Sequence, residues 1–350
     1  MKYNPLILNK LITIRGGGNY SLYILKILCA FGIILQHAHP IWLENVLLHP
    51  FMRASVPCFL LISGFYLIKD GTINISRIDK QLWKIAKIIV IYNSLFLVYV
   101  IGGHVIEGEP LLKKEWLCYS FWIRWLFIGD NICYPYWYLT AYCEALIIMR
   151  LISYRPYILR FAPILMLFAV ALNRYSFLFT SQQLDVSWSR NGLLCAFPCI
   201  VIGTYIAKNK YKIAKISLQK ITVLSIMVCS VAYMEYFFLN YYDIGQYGGD
   251  YYFMTFPLSI TIMLLALKFE QYKLENGFKN TFNIIYSAMA CLGKYHATNI
   301  YLFHVMILSM LGVIEKHGFD TYYFQTAELV FLLTLILSII INSIKKYFAD

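Results

Sequence analysis

The sequence predicts an all-α, polytopic transmembrane bundle of about ten spans with both termini in the cytoplasm. Three observations carry that expectation. Hydrophobic residues make up 60% of the 350 and charged residues only 14%, whereas a soluble domain carries roughly 25% charged residues. The apolar residues fall in runs close to the roughly twenty that a membrane-crossing helix requires. Lysine and arginine alternate between loops as the positive-inside rule demands.

In chain order the expected spans are 22–40, 52–69, 84–105, 136–154, 157–173, 191–208, 219–239, 252–268, 297–314 and 326–344. The shorter ones imply tilt or burial within the bundle. The stretch 116–129 is too short to cross and sets Arg124 among aromatic residues, so it reads as an interfacial or re-entrant segment of an outer loop, 103–135. Residues 1–20 are polar and basic. No small-residue cleavage site follows the first apolar run, so they read as a cytoplasmic segment before a retained span.

The loops test this count independently. One set carries Lys69, Arg77, Lys80 and Lys84, then Arg150, Arg155 and Arg160, then Lys208, Lys210, Lys212, Lys215 and Lys220. Lys268, Lys273 and Lys279 follow, and Lys345 and Lys346 close the chain. The intervening loops are poorer in these residues, and 240–251 has none. Ten spans place every basic loop on the cytoplasmic side. No polar gap is long enough to hold a soluble domain, so residues 1–350 read as a single membrane domain.

Composition also excludes functions. The net charge of +12 lies in short clusters between apolar runs, which suits a membrane surface and not nucleic acid. There is no Walker or Rossmann glycine pattern and no metal-type CxxC pair. No metal site and no permanently bound cofactor are expected. Most of the nine cysteines lie in apolar runs, where a thiol acts as a small hydrophobe. Cys118 and Cys133 flank the outer segment and are the candidate disulfide.

Ionisable groups within spans are costly and mark function by default. Lys26 and His37 are eleven positions apart, almost three whole turns, so a continuous helix places both on one face about 16 Å apart along its axis. The alternative is that Lys26 snorkels inward while His37 and His39 are interfacial. Arg53 opens the second span, which continues through Pro57, Ser63 and Gly64. On its own, Ser63-Gly64 reads more readily as a close helix contact between small residues. Glu144, Glu235 and His304 complete the intramembrane set, while Glu328 lies near the outer surface. Trp137 and Arg190 join His37 and Arg53 towards the outer side, and Lys26 and the basic loops lie inside.

These residues sit in recognisable strings. YSLYILKILCAFGIILQHAHP resembles the opening helix of the membrane-bound acyltransferase-3 family, with Lys26 and His37 in place of its basic residue and histidine. RASVPCFLLISGFYLI is similar to the family's arginine followed by VPxFFxxSGY, matched by Arg53, Val56, Pro57, Phe59, Ser63 and Gly64. YWYLTAYCEALI resembles HLWYLxAL through Trp137, Tyr138 and Leu139. FPCIVIGTYIAK and LGKYHATNIYLFH resemble the family's FPFFxLGYxLGK and LGxxSxxIYLxH segments. The strings occur in family order and cover about residues 15–345. Lys26 stands where arginine is commoner, and 103–135 aligns with no motif.

The resemblance implies transfer of acetyl, sometimes succinyl, from coenzyme A to a hydroxyl of an envelope polysaccharide, glycolipid or related glycan. It implies an enzyme of the inner (cytoplasmic) membrane, with the lipid bilayer, a carbohydrate acceptor, acyl-CoA and polysaccharide-assembly machinery as partners. By that resemblance His37 is the catalytic base, and a carboxylate such as Glu144 would orient it. Arg53 and Arg190 would hold the acceptor or stabilise the oxyanion. Lys26 would suit coenzyme A phosphates, and Ser63, Trp137 and His304 would contact substrate. For His304 a polar contact inside the bundle is an equal reading. Three other functions fit parts of the pattern. A glycan or lipid-linked sugar transporter or flippase would show repeated halves, which are absent from the sequence. A non-catalytic scaffold leaves Lys26, His37 and Arg53 without a purpose. A racemase membrane portion would bring an additional soluble domain.

Overall fold

The computed structural model describes residues 18–40, 45–108, 114–153, 155, 157–180, 184–242, 244, 251–277 and 280–347. Residues 1–17 of the expected cytoplasmic segment, 109–113 of the outer loop, most of the basic-free loop and Lys279 lie outside these.

The described chain is all-α apart from one hairpin of two-residue strands, and each expected span overlaps a helix. The first helices are α1 (Tyr20–Ile34), α2 (Asn45–Tyr66), α3 (Ile75–Glu107), α4 (Tyr119–Phe127) and α5 (Trp137–Ile152). After α6 (Ala162–Ala171), a π-helical turn at Gly192–Ala196 runs into α7 (Phe197–Lys208). Then follow α8 (Leu218–Tyr241), α9 (Thr255–Asn276), α10 (Asn280–Tyr295), α11 (Ala297–Lys316) and α12 (Ala327–Tyr347). In the hairpin Ile68–Lys69 pairs with Thr72–Ile73. Its Asp70-Gly71 turn has φ of 50° and 78°, as a two-residue hairpin with primed-turn geometry requires.

By length and apolarity, five helical stretches among the described residues can each cross a membrane: Leu47–Tyr66, Ile75–Val105, Leu218–Tyr241, Ala297–Lys316 and Ala327–Lys345. A sixth is counted if Ile158–Ala171 and Arg174–Thr180, bent by 64°, form one broken span. The remaining expected spans are helical but shorter or more polar. Helix α1 has 15 residues, about 22 Å of rise against a hydrocarbon core of about 30 Å. Helix α9 carries Lys268, Glu270, Lys273 and Glu275 in its second half.

The chain divides into two compact units, Met1–Ile62 with Asn209–Tyr236 and Met254–Asp350, and Ser63–Lys208 with Phe237–Phe253. In the first, α1 is enclosed by α9, α10, α11 and α12, with Leu22, Ala30 and Ile34 fully covered. Small residues allow this. A Cβ on Gly32 would fall 2.3 Å from Ser55 Oγ, and one on Gly293 of α10 would fall 1.8 Å from the Tyr23 carbonyl oxygen. In the second unit α5 packs on α3, α7 and the π-turn. There Gly64 supplies the expected close contact: a Cβ would come within 2.0 Å of the Ile200 carbonyl oxygen. Apolar side chains such as Val98, Ile226, Met227 and Ile340 point away from the packed interior, the face a membrane helix offers to lipid.

Candidate active site

The run QHAHP builds the first group of candidate residues. Helix α1 stops at Ile34, and the next amides tighten to i−3 bonds, Gln36 N–H to the Ile33 carbonyl (3.0 Å) and His37 N–H to that of Ile34 (2.9 Å). Pro40 then biases His39 to extended backbone, where it forms a parallel bridge with Thr326. His37 therefore sits on the exposed turn beyond α1, and the shared helix face expected for Lys26 and His37 is interrupted. Lys26 is half-buried within α1 itself.

His37 faces His304. Their ring centroids are 5.3 Å apart at an angle of 41°. His304, in α11, is 0% exposed. Its Nδ1 lies 2.5 Å from the Tyr301 carbonyl oxygen, and its buried Nε2 has no hydrogen-bond partner. Next to His37 in the chain, Gln36 donates Nε2 to the Met52 carbonyl at 2.7 Å. Its Oε1 receives the Arg53 Nη1 at 3.5 Å. Gln36 thus ties the α1 turn to the helix that carries Arg53. Sequence reasoning passed over it, although its place beside His37 was the available signal.

The second unit gathers another group. Arg190 is buried, its guanidinium 4.6 Å from the Tyr134 ring centroid and 5.5 Å from that of Trp137, and it donates Nη1 to the Tyr134 hydroxyl. Two of the expected residues, Trp137 and Arg190, are thereby brought together, and Tyr134 joins them unforeseen. Glu144 accepts the Gly192 amide at 2.7 Å, at the mouth of the π-turn, where a Cβ on Gly192 would lie 2.3 Å from the Glu144 Cβ. Ser63 is half-buried and hydrogen-bonds Tyr142.

Around this group Asn173 links three segments, giving Nδ2 to Ser189 Oγ (2.6 Å) and taking the Tyr251 amide on Oδ1 (3.0 Å). Arg174 lies 4.4 Å from the Tyr252 ring centroid. The outer segment is pinned by Arg124, bidentate to Asp130 at 3.0 and 2.8 Å. That hydrogen bond is the main cause raising the Arg124 pKa. The Asp185 carboxyl is held below its usual range by the Ser187 hydroxyl, then by the fields of Arg124 and Arg190. Cys118 is exposed, Cys133 is buried and both are free thiols, so the candidate disulfide is not formed. Burial pushes the Cys133 thiol up to about 12.

The family model for an acyltransferase domain, acyltransferase-3, matches residues 19–344. The chain belongs to the acyltransferase-3 family. No curated protein and no solved structure matches it. The match runs from just before α1 into the last turn of α12, so in this acyltransferase both residue groups lie inside the family domain. An imidazole beside a second imidazole, with a guanidinium held by the neighbouring glutamine, is equipment for moving a proton and stabilising developing negative charge.

Proposed function

We propose that this acyltransferase moves acetyl from acetyl-CoA, or a related acyl-CoA, to a hydroxyl of an envelope polysaccharide, glycolipid or similar glycan. The observation that carries this reading is the exposed His37 ring set against buried His304, with Gln36 holding Arg53 alongside. In the proposed reaction the neutral His37 takes the acceptor hydroxyl proton as the oxygen attacks the thioester carbonyl carbon. The C–S bond then breaks, and the leaving thiolate receives that proton from the imidazolium. Arg53 stabilises the oxyanion. Trp137 and Arg190 are the proposed sugar contacts, Ser63 and His304 are further proposed substrate contacts, and Glu144 is the proposed catalytic carboxylate.

The protein is read as a ten-span protein of the inner membrane with both termini cytoplasmic. Alternation of the Lys and Arg loops supports that count. Lys26 and the basic loops would meet the donor phosphates from inside, and polysaccharide-assembly machinery would supply the glycan. Transport of a glycan is the alternative function.

The test uses purified protein in liposomes, radiolabelled acetyl-CoA and glycans from the native host. Label on glycan with wild type, lost in His37→Ala, is the expected result. Equal transfer by both would remove His37 from the chemistry. No transfer from any acyl-CoA by folded protein would favour transport.

A further inference from the structure

His304 is fully buried within α11, its Nδ1 2.5 Å from the Tyr301 carbonyl oxygen, yet its Nε2 has no hydrogen-bond partner. A carbonyl oxygen can only accept, so the 2.5 Å contact with the Tyr301 carbonyl requires the proton on Nδ1. In the neutral ring Nε2 is then a bare acceptor. A buried acceptor left unsatisfied costs stability, and such a cost persists where a function uses the atom. The ring next to it is His37, 5.3 Å away between centroids. His37 is exposed on its turn beyond α1.

We propose that His304 is a positioning residue for the transfer reaction, its Nε2 accepting the N–H of His37 and so fixing which His37 nitrogen stays bare. The inference rests on His37 being the base. When the two rings close to hydrogen-bond distance, one His37 nitrogen donates to His304 and the other is held as the lone-pair site that faces the acceptor hydroxyl. When that site takes the hydroxyl proton, both His37 nitrogens carry hydrogen. The His304 acceptor then stabilises the imidazolium until it protonates the leaving thiolate. His304 gains and loses no proton, and the Tyr301 carbonyl keeps it in the Nδ1–H tautomer throughout. A neutral imidazole thereby does what a carboxylate does in other base-orienting pairs, without burying a negative charge beside lipid.

The experiment compares His304→Gln, His304→Leu and Glu144→Gln with wild type in liposomes, measuring kcat and both KM values for acetyl transfer. Wild type, His304→Leu and Glu144→Gln are also labelled with 15N-histidine to read the His37 tautomer by NMR. His304→Leu is expected to lower kcat by on the order of tenfold to a hundredfold, part of the 10²–10⁴ that a general base supplies, with the loss falling mainly on kcat. His304→Gln keeps an acceptor oxygen and is expected to restore most of that loss. The His37 nitrogens are expected to show one tautomer in wild type and a mixture in His304→Leu. Unchanged kcat in folded His304→Leu, or an unchanged tautomer, would overturn the proposal. So would a loss in Glu144→Gln that abolishes the single tautomer while His304→Leu keeps it. Wild type that transfers no acyl group would instead defeat the acyl-transfer reading. If His304→Leu fails to fold, Gln against wild type and the wild-type tautomer decide the matter, two tautomers in wild type being fatal.

Discussion

Gly293 of α10 lies directly against the Tyr23 carbonyl of α1, where a Cβ would be only 1.8 Å from that oxygen. Backbone meets backbone there, so no side chain can swing aside. Overpacking of this kind costs about 1–3 kcal/mol. Gly293→Ala is expected to lower the midpoint of thermal unfolding in detergent, and Gly293→Val to lower it further. Midpoints equal to wild type for both would mean that α10 slides freely along α1.

The same helix start is held by a buried acid. Glu270, 1% exposed, accepts the Ser21 amide at 2.7 Å and the Tyr286 hydroxyl at 2.5 Å. Ser21 Oγ and the Tyr286 hydroxyl lie 2.5 Å apart and close the triangle. A carboxylate at a helix N-terminus also meets the favourable end of the helix dipole. Lys273 sits over the Tyr286 ring, 3.6 Å from its centroid, and burial lowers its pKa while Glu270 opposes that shift. Charged hydrogen bonds contribute about 1.5–3 kcal/mol. Glu270→Ala is expected to destabilise by about 3 kcal/mol and Tyr286→Phe by about 1 kcal/mol, with the double mutant less than additive. Denaturant titration measures it, and strict additivity would show that the two groups act separately.

The helices were legible because the bilayer imposes length and apolarity on each segment. Helix α10 was not. Its apolar Phe282, Ile284, Ile285 and Met289 are interleaved with Asn280, Asn283, Ser287 and Lys294, so no long apolar run marks it, and only its packing against α1 explains it. Within the site, His37 and Arg53 carried a local signal from their strings. The Gln36 bridge and the orphaned His304 nitrogen are tertiary facts that spacing does not encode. The end of α1 before His37 follows from His39-Pro40, a cue present in the sequence but outweighed by the apolar run.

Gln36 can be tested apart from the histidines. Its amide holds the Met52 carbonyl at 2.7 Å and the Arg53 guanidinium at 3.5 Å. Gln36→Ala is expected to lower kcat about tenfold through misplacement of Arg53, since about 1.4 kcal/mol of lost transition-state stabilisation is a factor of ten. Gln36→Glu, which keeps an oxygen for Arg53, is expected to lose less. Steady-state acetyl transfer reads both, and an unaffected Gln36→Ala would detach Arg53 placement from this side chain.

His296 gives a pH dependence with a definite sign. It precedes α11 outside the span, and its Nδ1 lies 2.9 Å from Ser338 Oγ and 3.4 Å from Asn342 Nδ2. An amide nitrogen donates, so Nδ1 accepts, and protonation there breaks the pair. Burial lowers the His296 pKa from 6.5. The unfolded ring thus binds a proton at higher pH than the folded ring does. Stability from this group is complete above about 6.5 and is lost as pH falls below it, towards the folded value. Wild type is expected to lose more thermal stability than His296→Gln between pH 7.5 and pH 5.5. Parallel losses would show that other groups set the acid limb.

Arg190 is expected to set affinity for the acceptor and not for the donor. Its guanidinium is packed over Tyr134 and Trp137 and donates to the Tyr134 hydroxyl, so the exposed Tyr134 ring is held in one orientation. Lysine keeps the charge but lacks the planar fork that stacks and donates in fixed directions. A desolvated cation–π contact is worth about 2 kcal/mol, and part of that is lost in Arg190→Lys. The expected result is a several-fold rise in acceptor KM for Arg190→Lys, a larger rise for Arg190→Ala, and an unchanged KM for acetyl-CoA. Tyr134→Ala should raise acceptor KM as well, while Tyr134→Phe, which keeps the ring, should raise it less. A rise in donor KM with acceptor KM unchanged would move this cluster to the donor side of the reaction.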